Sequence, residues 1–397
     1  MRRHIALLLL NKNIRILATI QLICYFGGWF SYTGIFTLLI ELHAPIWAIS
    51  FTAAMAFVPG VVLAPISGVI IDKFKPFSLF ISFMLIECIT VLLLILVDSM
   101  SWFWFMQLIV FIRMGLAGMY FQVEMSLLPK LLTRSHLKLA NEIHSVIWAV
   151  SYTAGMGLAG IYIHNFGIYS SFVFDSILYA IGIALLFKLK LPQLYQSKKQ
   201  KVMTMLKDGL AYIKNSPLMI HLIIIHSFVG ITSYDTLIAL MADYKYKEIL
   251  STSLIIGFMN MSRACSLILG PIILSKFTNT KTLFWLFIGQ FLGIGIWSIL
   301  QFDFYVGFIG LVCAGFCTST LWSYSYTLIQ NHCDKEYHGR VVAYVDMVFL
   351  GISALTSLAI GFLYKVGLSL SFITFLMGFA FFIGAFYYRY VIKKFSL

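Results

Sequence analysis

Seven ionisable residues fall inside long apolar stretches of this chain: Glu87, Arg113, Glu124, Asp175, Asp235, Arg263 and Asp346. A charge moved into hydrocarbon costs roughly 3 kcal/mol or more, so residues of this kind are candidates for handling ions, protons or charged solutes. Glu87 lies about twelve residues before a turn at 98–100 and Arg113 about thirteen after it, which at about 1.5 Å per residue puts them at one depth on neighbouring antiparallel helices. A mid-membrane ion pair is expected. It serves either as a structural clasp for that hairpin or as an arginine that tunes a titrating carboxylate. Asp235 and Arg263 differ in depth by about 10 Å, which permits a pair without requiring one.

A second group sits where an apolar stretch ends. In GVIIDKFK, residues 68–75, a packing glycine (Gly68) precedes an acid (Asp72) and two cations (Lys73 and Lys75). Such a cluster can latch one helical bundle to another. Its expected partners are Glu124, one turn before Pro129, and the helix start at HGRVVA with Gly339 and Arg340, where the partial positive charge of a helix N-terminus favours a carboxylate such as Asp72. Plain anchoring at the inner membrane face accounts for Lys73 and Lys75 but leaves Asp72 and Glu124 without a role.

The elements that must carry these residues are set by composition. With 61% hydrophobic and 11% charged residues over 397 positions, the chain has too little polar surface for any soluble class. Twelve apolar runs, each of roughly 20 residues and so enough to span hydrocarbon, are expected at 14–41, 47–71, 77–97, 102–128, 143–164, 169–187, 218–241, 251–275, 282–300, 304–329, 341–364 and 370–392. The fold class is therefore all-α and integral to the membrane, with twelve transmembrane helices in two six-helix bundles, 1–187 and 218–397. Residues 188–217 form a basic linker in which Met203, Leu206, Leu210 and Ile213 have helical spacing. Pro59, Pro65 and Pro271 fall within runs, where they permit kinks.

A net charge of +13 suggests a polyanion partner until its placement is considered. Of the 28 basic residues, 23 fall at the termini or in even-numbered connections, counting Arg15 and Arg389 in the outermost turns of the first and last runs with the termini, and this predicts cytoplasmic termini and makes the excess a topology signal. No nucleic-acid partner is implied. The first residues, MRRHIALLLLNKN, are too short in their apolar part for a leader and read as an amphipathic helix on the inner face. Six cysteines show no CxxC pair, and neither a disulfide framework, a metal site nor a cofactor is indicated.

The two halves repeat. LAPISGVIIDKFKPFSLF, 63–80, in the first echoes LILGPIILSKFTNTKTLF, 267–284, in the second, and with Lys73-Phe74 laid over Lys276-Phe277 the offset is 203 positions. Duplicated six-span bundles with a site between halves are how alternating-access carriers are built. GVIIDKFK resembles the loop 2 to 3 signature of the major facilitator superfamily, and Arg113 matches its span 4 arginine. Within it, FGGWFSYTGIF, FVPGVVLAPISGVIIDK, LLPKLLTRSHLKLANEI, SFVFDSILYAIGIALL, LKDGLAYIKNSP and HGRVVA resemble the macrolide-efflux and enterobactin-exporter branch. Lys75-Pro76 departs from the signature, and Ser275 replaces its acid in the second copy, so the latch is expected on one side only. AGMGLAG, 154–160, is similar to the antiporter motif without its proline.

The resemblance implies spans 1, 2, 4, 5, 7, 8, 10 and 11 around a cavity, which brings Trp29, Tyr32, Trp322, Tyr324 and Tyr326 within reach of a substrate, along with Arg113, Asp235, Arg263 and Asp346. Rings with a few charges suit amphipathic or cationic organic molecules. The expected function is proton-coupled export of an amphipathic, drug- or siderophore-like molecule by a monomer in the cell's inner membrane. Uptake, lysophospholipid flipping or a scaffold or receptor role are the alternatives. The chain has no GxxxxGK[ST], HExxH or GxSxG element, so neither ATP-driven pumping nor hydrolysis is expected of it.

Overall fold

The computed structural model of the chain describes residues 2–189, 202–334 and 336–396, which carry helices and no strand. Twelve helical runs are long and apolar enough to cross a membrane: Lys12–Glu41, Ile46–Gly68, Pro76–Leu96, Met100–Pro129, Leu139–Phe166, Ile168–Leu186, Pro217–Tyr244, Thr252–Phe277, Leu283–Leu300, Phe304–His332, His338–Lys365 and Leu370–Phe395. They are numbered below as spans 1 to 12. The protein is an all-helical multi-pass membrane protein.

Two compact units divide the chain. The first comprises Met1–His43, Pro65–Lys199 and Ser251–Phe258; the second comprises Ala44–Ala64, Gln200–Leu250 and Met259–Leu397. Each half of the sequence therefore lends a segment to the other unit; span 2 divides between Ala64 and Pro65, within the helix Val58–Lys73, and is also interrupted earlier, inside the second unit. Its helix ends at Met55 and resumes at Val58, so that Pro59 occupies the first turn, where its missing N–H leaves no bond unmade. The detached segment Ile46–Met55 packs within the second unit, with Ser50 against Gly361 of span 11. Within the first unit the start of span 8 meets span 5 at Gly160, Ser253 and Gly257.

Lipid tails are as apolar as leucine, so helices in a membrane associate by close packing, and small residues set how near they come. In the second unit Gly270 of span 8 lies against the carbonyl of Phe316 in span 10, and Gly293 of span 9 lies against that of Cys313. A side chain at Gly270 would strike backbone, which cannot swing aside. Gly270→Ala is expected to destabilise the protein by about 1–3 kcal/mol, read as a lowered thermal midpoint in detergent. An unchanged midpoint would mean that the two spans separate without cost.

The N-terminal helix Arg2–Leu10 buries Leu7 against Ile14, Leu128, Ala140 and Ile143, and His4 Nε2 lies 2.6 Å from Glu142 Oε2. It packs on the ends of spans 1, 4 and 5. In the linker, the helix Val202–Asn215 is present, with Ile213 buried and Leu210 exposed; Met203 and Leu206 lie outside the described side chains.

Candidate functional site

Spans 1, 3, 4 and 6 bring one cation and two acids together in the first unit. Arg113 Nη2 donates to Asp175 Oδ2 at 2.8 Å and to Ser31 Oγ at 3.0 Å. Its Nη1 donates to the main-chain carbonyl of Glu87 at 3.1 Å and stands 3.4 Å from Glu87 Oε2. The Tyr179 ring lies 5.9 Å from the guanidinium carbon. The expected Glu87–Arg113 pair is thus a triad in which Asp175 holds the shorter contact. Exposures of 4%, 2% and 0% for Glu87, Arg113 and Asp175 place all three in the interior.

The two carboxylates are held differently. Asp175 accepts the charge-assisted bond from Arg113, and Gly27 of span 1 leaves room for its other oxygen, which any side chain there would strike. Neither Glu87 oxygen accepts a hydrogen bond, although Tyr179 is close by. Ser31 spends its own proton on the Gly28 carbonyl at 3.1 Å and so can only accept from Arg113. Two acids and one guanidinium carry a net negative charge when both acids are ionised, which a low-dielectric interior strongly disfavours. Such a triad can hold one exchangeable proton.

The repeat places Gln290 at the position of Glu87, 203 residues on. Its Nε2 donates to the Ala314 carbonyl at 2.6 Å, and its Oε1 accepts from Thr318 at 3.1 Å. The second unit therefore carries a neutral amide of the same shape where the first carries an acid.

Asp235 and Arg263 do not form an ion pair. Span 7 is broken by a tighter 3-10 stretch, Phe228–Thr232, and Asp235 opens the next helical segment, Asp235–Tyr244, half-buried. A broken helix frees carbonyls. Arg263 Nη2 takes one of them, donating to Thr232 O at 2.7 Å, and its guanidinium lies 4.9 Å from the Tyr234 ring centre. Asp235 keeps the helix N-terminus, where an acid is favoured.

The expected latch falls only partly on described side chains. Asp72 lies outside the described side chains, Gly68 has open space around it, and Lys73 is exposed over the ring of Phe74. Glu124 is 3% exposed and makes no ion pair with Lys73. Its helix turns the carboxylate inward, within electrostatic reach of the Tyr25 and Tyr120 hydroxyls. Arg340 Nη1 lies 3.7 Å from Asp208 of the linker helix and stacks over Tyr337 at 5.2 Å, while Gly339 is open. Tyr212 of that helix stacks on Tyr337 at 4.4 Å and accepts from the Asp334 N–H at 3.0 Å; burial pushes its hydroxyl above the ordinary range.

Of the aromatic residues, Trp29 packs on Tyr152 at 4.4 Å and on Tyr32 at 5.9 Å. Tyr324 Oη lies 3.2 Å from Thr280 Oγ1. Trp322 and Tyr326 stack at 5.2 Å beside a residue the sequence did not single out. This is His226, fully buried, with Nδ1 2.8 Å from Ser325 Oγ and its ring enclosed by Trp322, Tyr326 and Phe349. Ser325 donates its proton to Leu321 O at 2.6 Å, so His226 Nδ1 carries the hydrogen of that contact. Asp346 is half-buried within electrostatic reach of Tyr326.

Among known proteins, the model for the Major Facilitator Superfamily matches residues 17–357. An uncharacterised transporter of this type from Bacillus subtilis (strain 168), YfiS, is 24% identical over 216 residues. That match takes in 53% of this chain and 51% of the relative, so the chain matches about half the length of that curated protein. The crystal structure of the nucleoside transporter NupG superimposes with a TM-score of 0.74 at 15% identity, covering 96% of this chain and 99% of that one. A bacterial homologue of the iron transporter ferroportin, in its inward-facing state, gives a TM-score of 0.74 at 13% identity, with 96% and 98% covered. At these identities the likeness shows the fold alone.

Proposed function

This chain belongs to the Major Facilitator Superfamily and is a membrane transporter, not an enzyme, and on that premise we propose that it exports an amphipathic small molecule in exchange for protons. The observation that carries the coupling is the asymmetry of the two acids around Arg113. Asp175 has the short bond and is the standing counter-ion; Glu87, with no hydrogen bond to either oxygen, is the acid that gains and loses the proton. Asp235, half-buried at a helix start and without a guanidinium partner, is the weaker of the two acids for that role.

When Glu87 is protonated the triad is neutral. When it is not, the second carboxylate competes for a guanidinium already engaged by Asp175, Ser31 and a carbonyl. A group with two such states can bias a transporter between conformations, provided the proton reaches it from opposite sides in each. The sequence halves 1–187 and 218–397 are the two bundles that alternate, joined by the linker, in a monomer of the cell's inner membrane with both termini cytoplasmic. The basic residues concentrated at the termini and even-numbered connections support this orientation. The rings at Trp29, Tyr32, Trp322 and Tyr326 favour an amphipathic solute.

Transport into inside-out vesicles tests the reading, with sidedness checked by a cysteine placed at Ser396. Uptake of amphipathic dyes should rise when the vesicle interior is made acid and fall when the gradient is collapsed. Uptake that ignores the gradient sinks the proton exchange, and uptake that runs only in right-side-out vesicles sinks the direction.

A further inference from the structure

Glu124 has no part in the triad and no ion pair among the described residues, and it is 97% buried, with Oε2 lacking a hydrogen-bond partner. Tyr120, four residues earlier and so on the same helix face, has a buried hydroxyl that is also without a partner. Two unpartnered polar groups in one interior position are costly, and an ionisable residue buried within a membrane span marks a candidate functional site. Tyr25, within electrostatic reach of Glu124, and Phe121, one turn before it on span 4, begin a row of rings. Tyr25 and Phe121 pack on His144 at 6.1 and 5.0 Å, and His144 is held by the side-chain amide of Gln21. Trp148 continues the row through Tyr152, at 5.3 Å, to Trp29. Phe121 and Trp148 are 39% and 41% exposed, whereas the carboxylate is buried.

An acid close to aromatic rings suits an organic cation: the rings attract it through their quadrupoles, and the carboxylate supplies the opposite charge. We propose that Glu124 and the rings close to it bind the protonated amine of the transported molecule, which makes the substrate an amphipathic amine. This rests on the reading of the chain as an exporter of amphipathic solutes and narrows it to one charge class. Along the shared face of span 4, Glu124 stands about 16 Å from Arg113, eleven residues away at about 1.5 Å per residue. Substrate and proton therefore bind to different acids, and cargo recognition can be lost without loss of coupling.

The test is equilibrium binding to purified protein of two probes: a naphthylpropyl dimethylamine, cationic at neutral pH, and its uncharged isopropyl isostere. The wild type should prefer the amine by about tenfold, the effect of 1.4 kcal/mol. Glu124→Gln should remove that preference by weakening the amine alone, and Glu124→Asp should restore part of it. Trp148→Leu, which leaves the buried acid in place, should cost the amine about threefold and the isostere little. Glu87→Gln should keep the preference in full. A wild type indifferent to charge, or a Glu124→Gln protein that still prefers the amine, overturns the proposal; so does a Glu124→Gln protein that loses only its response to the pH gradient, since Glu124 would then be a proton relay. Failure of the proton-exchange reading shows instead in wild-type vesicles that ignore the gradient while the amine preference stands.

Discussion

Asp175→Asn should destabilise the protein by about 3 kcal/mol, toward the lower end of what is expected when one partner of a buried ion pair is removed. The Arg113 guanidinium is 2% exposed, and its shortest contact is the 2.8 Å bond to Asp175 Oδ2. Asparagine keeps the shape and removes the charge, leaving a cation in the interior. Full loss is avoided because Glu87 is already 3.4 Å away and can give up its proton to become the counter-ion. Two readouts follow: a lower thermal midpoint in detergent, and a transporter in which the recruited Glu87 no longer exchanges its proton. A midpoint equal to that of the wild type would show that Asp175 is not the standing partner of Arg113.

Glu87→Gln should separate exchange from accumulation. With one exchangeable proton, a gradient of one pH unit supplies about 1.4 kcal/mol and sustains about a tenfold accumulation of substrate. Glutamine fills the same space and removes the titrating group, so accumulation should fall to a ratio near one while substrate still equilibrates across the membrane. Asp235→Asn, at a half-buried helix start, should leave the gradient response intact. Full accumulation by the Glu87 variant would return the coupling role to the other acids, Asp346 among them.

The spans were legible because twelve long apolar runs leave the chain no other solvent, and the Glu87–Arg113 contact was legible because counting residues from a short turn fixes depth. Asp175 stands at a comparable depth in span 6, but its helix neighbours span 1 and the route between them is not written in adjacent sequence. The surroundings of Arg263 turn on a backbone event: nothing in FVGIT dictates that span 7 tightens there and frees the Thr232 carbonyl that Arg263 takes. Which way Glu124 faces is not written in the sequence, since a residue one helix turn from an end can face either solvent or interior. His226 sits in the run HLIIIHS, where a lone histidine gives no sign that it will be ringed by Trp322, Tyr326 and Phe349.

Gln290, standing where the repeat would place a second Glu87, bears on how the cell's energy reaches the cargo. A transporter with an ionisable acid in both halves could move two protons per cycle; one with glutamine in the second half is left with a single such group in the pair. If one proton enters for each singly charged amine that leaves, no net charge crosses the membrane. The electrical part of the proton-motive force, about 2.3 kcal/mol per 100 mV for each charge moved, then contributes nothing, and only the chemical difference in pH drives export. Such an exchanger is electroneutral, and it keeps working in a cell whose voltage has collapsed but whose cytoplasm is still alkaline to its surroundings.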